Sequence, residues 1–446
     1  MHDTNARYRL SRREMLKRGT TVAAGMGMAS ALAALPAHLR PQPVAAQSGP
    51  RLLLGSHMDP VKEIVELYQQ RQGIEASIEL VTTPDLQNKL TSAFLARRSP
   101  WDSVFLTGLL IASLANNGWL KSVDDFVNEK IRGGGQGNLL ERGMGAALYQ
   151  GQTYGVPWAM GAPILHWNKQ MMADFNLDPE APATWHETPN SWDTLVEYAK
   201  AMTGTYNGQE VYGYTDAWAG DHVIWTWGGL LQAYGGRFLD DDLQPVMNSE
   251  AGVAATQLLY DLLHTHKCID PAVITYTWVF DASPGYFDGK RGMFITWPFI
   301  AGVANNPEAS KIAGQSGFAP NPAVETSGSV DGSEFFGIPT FTENDEAALS
   351  FLEFLVSREA QRIVALGGWA GIYGDVMQEP DILDQFPFYA AISASYEYPV
   401  DGGWSPDRTT WISILSTEIH EVLARKKAPK EALDDAVKRI NESRQQ

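Results

Sequence analysis

The sequence predicts an α/β protein of two lobes, each a sheet flanked by helices. Short strands and amphipathic helices alternate through residues 51–106, which is the pattern of a parallel sheet covered on both faces. The chain of 446 residues is also longer than one hydrophobic core usually organises, which favours two units. With 44% hydrophobic and 19% charged residues, the composition supplies core material for both.

The first unit alternates strand and helix in a regular order. Asp59 and Thr83 each precede a proline, Pro60 and Pro84, and each pair predicts a capped helix start, because proline is favoured at the first helical position. Helices of this length between strands predict right-handed crossovers and parallel strands. The strands are predicted at 51–54, 76–81 and 103–106.

The ends of these strands are the first candidate ligand positions. Ligands of parallel sheets bind beyond the carboxyl ends of the strands. In this chain those ends are Gly55-Ser56-His57 and Thr107-Gly108.

Further elements follow in the rest of the chain. Helices are predicted at 192–202 and, capped by Ser249, at 250–266, since apolar residues recur there at helical spacing. Three more helices begin near Asp345, Arg408 and Pro429. Short strands are predicted at 164–167, 293–296 and 336–338.

The N-terminal segment differs chemically from the remainder and predicts an export signal. Arg12-Arg13 precede an apolar stretch rich in Ala, Gly and Met that ends at Val44-Ala45-Ala46. The arginine pair resembles a twin-arginine signal, so residues 1–46 are expected to direct an already folded protein to the periplasm. The alternative considered is an amphipathic membrane anchor, which the small residues of the stretch disfavour.

Charge and hydropathy exclude two classes of protein. The formal charge is -18, which is opposite to the basic surface that nucleic-acid phosphates require. Without residues 1–46 the charge becomes -23, because that segment carries seven basic and two acidic residues. No apolar run of about 18 residues follows residue 46, so no membrane span is expected.

Motifs for metals, cofactors and hydrolysis are weak or missing. The His264–Cys268 tract closes a predicted helix, the acidic run 240–242 has no calcium-loop continuation, and Gly133–Gly137 lacks a phosphate-loop context. The single cysteine, Cys268, excludes an internal disulfide. No nucleophile elbow and no zinc-protease motif occur. We therefore expect no metal, no cofactor and no catalytic residue.

The 14 tryptophans are the most informative residue type. Half-exposed rings can stack on the apolar face of a sugar while polar neighbours bind its hydroxyl groups. Six tryptophans are next to or near Gly or Pro, where a large ring has no evident core to fill, and three or more are expected to contact a ligand. They are Trp158, Trp225, Trp227, Trp297, Trp369 and Trp404.

Several motifs in order resemble the carbohydrate-binding subunits of ATP-binding-cassette importers, the maltose-binding-protein-like group. The resemblance extends over residues 51–442. Its motifs are Ser99–Phe105 with Gly118-Trp119-Leu120, Gly151–Trp158, His166–Lys169, Gly235-Gly236, and Phe287–Met293 running into Trp297. It implies a type II periplasmic-binding-protein fold that encloses its ligand by hinge closure.

The resemblance also implies lobe boundaries. Residues 47–160 and 285–336 would form the N-terminal lobe, and residues 161–284 and 337–446 the C-terminal lobe. The strands that cross between lobes are expected near Trp158–Pro163 and Phe335–Pro339.

Carried over to this chain, the resemblance implies a set of ligand-binding residues. Loop residues follow the first and third strands, stacking aromatics follow later elements, and Arg408 begins a late helix. The expected set is Ser56, His57, Asp59, Thr107, Trp158, Trp225, Trp297, Trp369, Trp404, Arg408 and Trp411. Thr107 replaces an aromatic of some maltodextrin binders, so the sequence does not imply maltose.

The expected protein is a monomeric periplasmic solute-binding protein that captures a mono- or short oligosaccharide, delivers it to a membrane permease and catalyses nothing. One alternative is that the same fold binds a polyol or an organic acid; a carboxylate ligand would need Arg408, Arg237 or Arg291 in the cleft. The other alternative is a secreted glycoside hydrolase.

Overall fold

The computed structural model describes residues 49–445. The predicted export signal, residues 1–46, lies outside the described residues. The described part forms one compact unit, and within it two sheets each carry their own hydrophobic core. The α/β class and the two-lobe architecture predicted from the sequence are confirmed.

The first sheet has five strands in the order β2-β1-β3-β12-β6. Strands β1, β2 and β3 run parallel, whereas β12 runs antiparallel to both β3 and β6. The strands are β1 (Arg51–Gly55), β2 (Ser77–Val81), β3 (Ser103–Thr107), β6 (Val156–Ala159) and β12 (Glu334–Gly337). A two-stranded hairpin, β4 (Leu148–Tyr149) with β5 (Gln152–Thr153), lies outside this sheet.

The second sheet has the order β11-β7-β10-β9-β8. Strand β10 is parallel to β9 and antiparallel to β7, so this sheet is also mixed. Its strands are β7 (Ile164–Asn168), β8 (Gly204–Tyr206), β9 (Gln209–Thr215), β10 (Arg291–Thr296) and β11 (Ser316–Ala319).

Helices cover both sheets. Those packed with the first core are α1 (Asp59–Gln72), α2 (Thr83–Leu95), α3 (Gly108–Asn116), α4 (Asp124–Phe126), α11 (Asp345–Leu355), α12 (Arg358–Leu366), α13 (Gly374–Met377), α14 (Pro380–Leu383) and α15 (Tyr389–Ser395). The others are α5 (Lys169–Asp174), α6 (Ser191–Ala201), α7 (Val223–Ala233), α8 (Glu250–Tyr260), α9 (Val279–Phe287), α10 (Phe299–Ala304), α16 (Arg408–Leu423) and α17 (Pro429–Ser443). Short segments of other helix types occur at 127–132, 141–147, 181–187, 220–222, 261–265 and 271–275.

Local sequence signals explain several helix starts. Ser249 accepts a hydrogen bond from the Gly252 amide, so the predicted cap of α8 is confirmed. Asp59 is the first residue of α1 and not its cap, because Met58 occupies the capping position without a side-chain bond. Asp59 still lies where a negative charge favours the positive end of the helix. No helix in residues 49–445 is long and apolar enough to cross a bilayer.

The chain passes between the two sheets near the ends of particular strands. In the first sheet, β12 begins at Glu334, which pairs with Thr107 at the end of β3. In the second sheet, β7 begins at Ile164 opposite Thr296, the end of β10. The chain passes between the sheets at these edges, so loops that follow β1, β3, β9 and β10 converge on the space between the lobes.

Three segments cross between the lobes. The first, Met160–Pro163, joins β6 to β7 and agrees with the predicted crossing near Trp158–Pro163. The second crossing is Val330–Ser333, directly before β12. The prediction had placed this crossing near 335–339. Those residues instead lie within and after β12, which belongs to the first sheet and in which Gly337 pairs with Val104. The sequence analysis did not identify the third crossing, Tyr396–Trp404.

The lobe boundaries differ from those predicted. Strands β10 and β11, within 285–336, belong to the second sheet, and helices α11 to α15, within 337–446, pack on the first core. The reason is that short strands such as β10 and β12 have similar apolar patterns, and only strand pairing distinguishes the two sheets.

Candidate functional site

A cavity of about 450 Å³ lies between the two lobes. From the first lobe, Leu109 lines the cavity; it lies two residues after the end of β3. The second lobe contributes the loop after β9 and the start of α7, the residue Thr277 before α9, and the start of α16. Its lining residues there are Ala219, Gly220, Asp221, His222, Ile224, Trp225, Thr277, Arg408, Thr409 and Ile412.

Trp225 and Trp297 form an aromatic pair at this cleft. Their ring centroids are 4.8 Å apart and their planes meet at 69°. Trp225 lies in the first turn of α7, and Trp297 directly follows β10. Trp297 Nε1 is buried and finds no hydrogen-bond partner among residues 49–445. The pair therefore offers a ring face together with an unused donor.

The tip of Trp297 lies against a crossing segment. A Cβ on Gly332 would be 2.3 Å from Trp297 Cη2, so only glycine fits at this position. The amide of Gly332 donates to the Gly161 carbonyl at 2.6 Å and joins the first and second crossings. Trp297 thus connects the cleft to the first and second crossings.

Arg408 is the cation of the cleft, and its side chain is held firmly. The residue is 2% exposed, and its Nε donates to the Gly402 carbonyl at 2.6 Å. The guanidinium carbon lies 4.7 Å from the Trp404 ring centroid and 5.7 Å from that of Trp411. Desolvation by burial lowers the pKa of Arg408 to about 9, so it remains protonated at neutral pH.

Arg408 has three carboxylates nearby but no ion pair with them in the described structure. Asp401, Asp331 and Asp221 all raise its pKa by electrostatic attraction, and its Nη2 has no partner in the described chain. Burial raises the pKa of Asp331 from 3.8 to about 7, and desolvation also raises the pKa of Asp401. One guanidinium thus faces several acidic groups.

Asp331 holds the crossings together. Its Oδ1 accepts from Ser333 Oγ at 2.5 Å and from Tyr396 Oη at 2.8 Å, while Tyr396 Oη accepts from the Gly161 amide at 2.8 Å. Its own amide donates to the Val400 carbonyl at 2.8 Å. Its Oδ2 is buried without a partner among the described atoms. The second and third crossings therefore meet at this carboxyl group, and the Tyr396 hydroxyl links the first crossing to it.

Trp404 contacts both lobes. A Cβ on Gly145 or on Gly108, both in the first lobe, would lie 3.5 Å from its ring, whereas its other neighbour is Arg408 of α16. A second cavity of about 550 Å³ has Trp404 in its wall, together with Gly145, Leu148 and the turn 235–243. Trp404 therefore lines this second cavity, while its neighbour Arg408 lines the first.

The first lobe presents a polar and aromatic cluster at its facing edge. His57 Nε2 lies 3.0 Å from Glu334 Oε2, and its ring lies 5.4 Å from that of Trp369 and 5.3 Å from that of Phe105. Trp369 in turn lies 5.2 Å from Trp158. Two of the predicted residues, His57 and Trp369, are thus brought together at the strand ends.

The remaining loop residues of the prediction lie near this cluster but differ in exposure. Thr107 caps α3 with its backbone and pairs with Glu334. Ser56 is exposed, and its carbonyl accepts from Lys62 Nζ at 3.1 Å. Asp59 is also exposed and pairs with the same lysine at 2.7 Å. These residues lie on the predicted edge, outside the lining of the cavity.

Two of the predicted tryptophans occupy core positions, which is a correction. Trp411 is 0% exposed in the second core, where its Nε1 donates to Ser405 Oγ at 2.9 Å. Trp158 is equally enclosed in the first core and supports Trp369. Trp227, another candidate by sequence, is buried with Nε1 on Thr256 Oγ1 at 2.8 Å. A nearby Gly or Pro therefore did not distinguish exposed from buried rings.

Several cleft residues were not predicted from the sequence. Asp221 and His222 line the cavity just before Trp225, and Thr277 lies opposite on the loop before α9. His222 Nδ1 lies 2.9 Å from the Ala217 carbonyl, and its buried Nε2 has no partner in residues 49–445. The polar pair Asp221-His222, directly before the helix that carries Trp225, was a usable signal for the first two residues, but nothing local marks Asp331 or Thr277.

Among residues 49–445 no cluster of His, Cys, Asp and Glu has the arrangement of a metal site. In the 264–268 tract, His264 Nε2 lies 2.7 Å from the Leu423 carbonyl, and its Nδ1 accepts from Arg425. Burial raises the pKa of Cys268 to about 11, so its thiol stays protonated. Both ring nitrogens of His264 thus have protein partners, and Cys268 is a buried neutral thiol.

The two other arginines considered for an anionic ligand are each paired with a carboxylate of the protein. Arg291 forms an ion pair with Asp270 at 2.6 Å, and Arg237 pairs with Asp241 on the surface at 3.1 Å. Of the three arginines considered from the sequence, only Arg408 lines the 450 Å³ cavity.

A family model described as bacterial extracellular solute-binding protein matches residues 55–362. A probable amino-acid ABC transporter periplasmic-binding protein, y4oP of Sinorhizobium fredii, is 26% identical over 287 residues, which are 63% of this chain and 62% of that protein. The match thus covers less than two thirds of this relative.

Solved structures share the fold. The maltose-bound MalE3 of T. maritima superposes with a TM-score of 0.73 at 22% identity, covering 88% of this chain and 98% of that chain. A solute-binding protein of Agrobacterium radiobacter K84 in complex with ribitol gives a TM-score of 0.70 at 23% identity, covering 88% and 98%. At this level of identity the likeness establishes the architecture and leaves the ligand open.

Proposed function

The chain belongs to the bacterial extracellular solute-binding protein family, and from this premise we propose that it captures a sugar in the cleft between its lobes. It is a non-catalytic component of an ABC transporter. The single observation that supports a sugar is the Trp225–Trp297 pair, 4.8 Å between centroids, beside a cavity lined by polar groups. Sugars present apolar ring faces and hydroxyl groups together, which this combination of residues matches.

The polar groups suit hydroxyl groups in particular. Arg408 Nη2 and Trp297 Nε1 are donors without a partner among residues 49–445, and Asp331 Oδ2 is a third buried polar atom without one. Asp221 adds a carboxylate to the cavity wall. A hydroxyl group both donates and accepts, so one ligand with several hydroxyls satisfies both kinds of group. A polyol, the alternative from the sequence, meets the same requirement but lacks a ring face for Trp225.

An organic acid fits less well, although Arg408 is in the cleft. Asp221, Asp331 and Asp401 already attract its guanidinium. An added carboxylate would be repelled by these groups, and the repulsion is strong where water is excluded. The ligand should therefore carry no net negative charge.

A second candidate class is a zwitterion such as an amino acid. The observation that favours it is that Arg408 and Asp221, of opposite charge, line the same cavity. They could take a carboxylate and an ammonium group respectively. The name of the Sinorhizobium relative points to the same class for that protein.

Thermal-shift screening followed by calorimetry separates these classes. The mature chain would be screened with maltose, glucose, ribitol, glucuronate and neutral amino acids, because ligands that bind only the folded state raise its melting temperature. We expect a sugar to give the largest shift. Binding of amino acids alone would replace the first proposal with the second.

Variants of the cleft tryptophans test whether the ligand binds in the cleft. Trp225→Ala and Trp297→Ala should each weaken binding of the best ligand about tenfold or more, and Trp227→Phe, in the core, is the matched control. If neither cleft variant changes affinity, the site is elsewhere.

The location, the export route and the membrane partner are proposed from the family and the N-terminal sequence. We propose that the protein acts as a monomer in the periplasm, reaches it by the twin-arginine route, and passes its ligand to a membrane permease. A reporter fused behind residues 1–46 tests the route, because a lysine pair in place of Arg12 and Arg13 should abolish export.

A further inference from the structure

The cavity opens beside a group of exposed aromatic rings that the sequence analysis did not select. Trp278 is 41% exposed and Phe280 is 53% exposed, although both are large apolar side chains. Phe299 is half-buried between them: its ring centroid lies 6.5 Å from Trp278 and 5.8 Å from Phe280. We name Trp278, Phe280 and Phe299 the outer platform. Exposed apolar patches of this kind usually mark a binding surface.

The outer platform is continuous with the cavity. His222 lines the cavity, and its ring meets that of Trp278 edge-on at 5.1 Å and 83°. Thr277, which precedes Trp278, also lines the cavity. Aromatic rings thus extend from the cavity wall at His222 outward to Phe280.

The platform is held in place and does not depend on a ligand for its position. Asp281 accepts hydrogen bonds from the amide and hydroxyl of Thr277, each at 2.9 Å, and from the Trp278 amide at 3.2 Å. The carbonyl of Tyr276 accepts from the amide of Ala219, a cavity residue, at 3.0 Å. A preformed surface binds with little ordering cost.

Polar groups at the inner end of the platform indicate what it binds. His222 Nε2 is buried without a partner in the described structure, and Asp221 adds a carboxylate next to it. A stacked sugar ring needs both an apolar face and partners for its hydroxyl groups. The combination resembles the inner cleft, where Trp225 and Trp297 lie beside Arg408.

We infer that the outer platform is an additional saccharide subsite, so that the ligand is an oligosaccharide whose inner end is enclosed and whose outer rings stack on Trp278 and Phe280. The inference rests on the proposed sugar-binding function and specifies its substrate class. The occupant is the outer part of the ligand, because the platform is continuous with the cavity that holds the inner part.

Calorimetry with malto-, cello- and chito-oligosaccharides of one to five rings tests this subsite. For the best series, the affinity of the wild-type protein should rise with each ring up to three or more. Trp278→Ala should weaken binding of the longer members roughly tenfold and leave one- and two-ring members within about twofold. Phe280→Ala should act in the same direction on the longest members alone.

The matched control is Leu95→Ala, at an exposed apolar position in α2 that lines neither cavity. It should leave all affinities unchanged. Because Trp278 and Phe280 are exposed, their variants should keep the wild-type melting temperature, which circular dichroism would check.

The other outcomes are distinct. Equal losses for short and long ligands, no loss at all, or wild-type affinity that stops rising at two rings would each overturn the subsite. Unchanged binding with impaired transport in Trp278→Ala cells would overturn it too and assign the platform to permease contact. If no saccharide binds, the proposed function itself fails, and the subsite fails with it.

Discussion

The guanidinium of Arg408 lies 4.7 Å from the centre of the Trp404 ring, and Trp404 in turn reaches Gly108 and Gly145 of the first lobe. A buried cation over an aromatic face is stabilised when water is excluded. This stack therefore joins the charged group of the cleft to the surface that the first lobe presents.

Replacing Trp404 should weaken ligand binding. In Trp404→Ala, Arg408 loses its aromatic cover and the lobes lose a contact, so affinity should fall about tenfold, equivalent to about 1.4 kcal/mol. Calorimetry with the ligand from the screen measures the change, and Trp404→Phe, which keeps a ring, should lose less. Equal affinity for wild type and Trp404→Ala would contradict a role in binding.

Trp411 should matter for stability and little for binding. Its ring is fully buried against Phe238, at 5.4 Å. Trp411→Leu should therefore lower the free energy of unfolding by about 2–4 kcal/mol, because it leaves a cavity in the core. Urea unfolding measures this, and affinity below the transition should stay within about threefold. A large loss of affinity at unchanged stability would instead support a direct role of Trp411 in ligand binding.

Asp331 should make stability depend on pH in a particular direction. The folded protein holds the proton of this carboxyl up to a pKa of about 7, against 3.8 for the ordinary group. Between these values the folded state binds more protons than the unfolded state, so its stability falls as pH rises. Asp331→Asn should remove this loss, which is about 4 kcal/mol at pH 8.

The measurement is the difference in unfolding free energy between Asp331→Asn and wild type at several pH values. The difference should be small near pH 4 and favour the variant increasingly up to pH 8. Taking the difference matters because burial also raises the pKa of Asp216 to about 6 and lowers that of His166 to about 3. A difference that does not vary with pH would show that the Asp331 carboxyl does not destabilise the folded state at high pH.

Charge selectivity should depend on Asp221. Wild type should bind glucuronate at least tenfold more weakly than glucose, since Asp221 and its neighbours repel a second carboxylate. In Asp221→Asn the gap should narrow severalfold, and Asp193→Asn, on the surface of α6, is the control. Preference of the wild type for glucuronate would instead support an organic-acid ligand.

The sequence was most informative where the signal is local. The strand at β1, the proline-started helix α1 and the Ser249 cap each depend on a few neighbouring residues, and the structure has them within one or two positions. Of the predicted ligand-binding residues, Trp225 and Arg408 line the cavity, and their contact with a ligand stays a prediction.

What the sequence could not resolve depends on residues far apart in the chain. The assignment of β10 to the second sheet rests on its pairing with β7 and β9, and the burial of Trp411 rests on packing against Phe238. A hydrophobic pattern reports that a side chain is apolar, but it does not report which neighbours enclose it.

The sequence by itself determined the α/β class, the two-lobe family and the chemistry available to the cleft, because strand and helix periods and short motifs are local properties. Only the tertiary structure decided which tryptophans are buried and which line the cleft, how the crossings are joined, and that one arginine is attracted by carboxylates brought from positions 221, 331 and 401. The physical reason is that burial, electrostatic attraction and ring stacking act across distances of a few ångströms in space, whatever the separation along the chain.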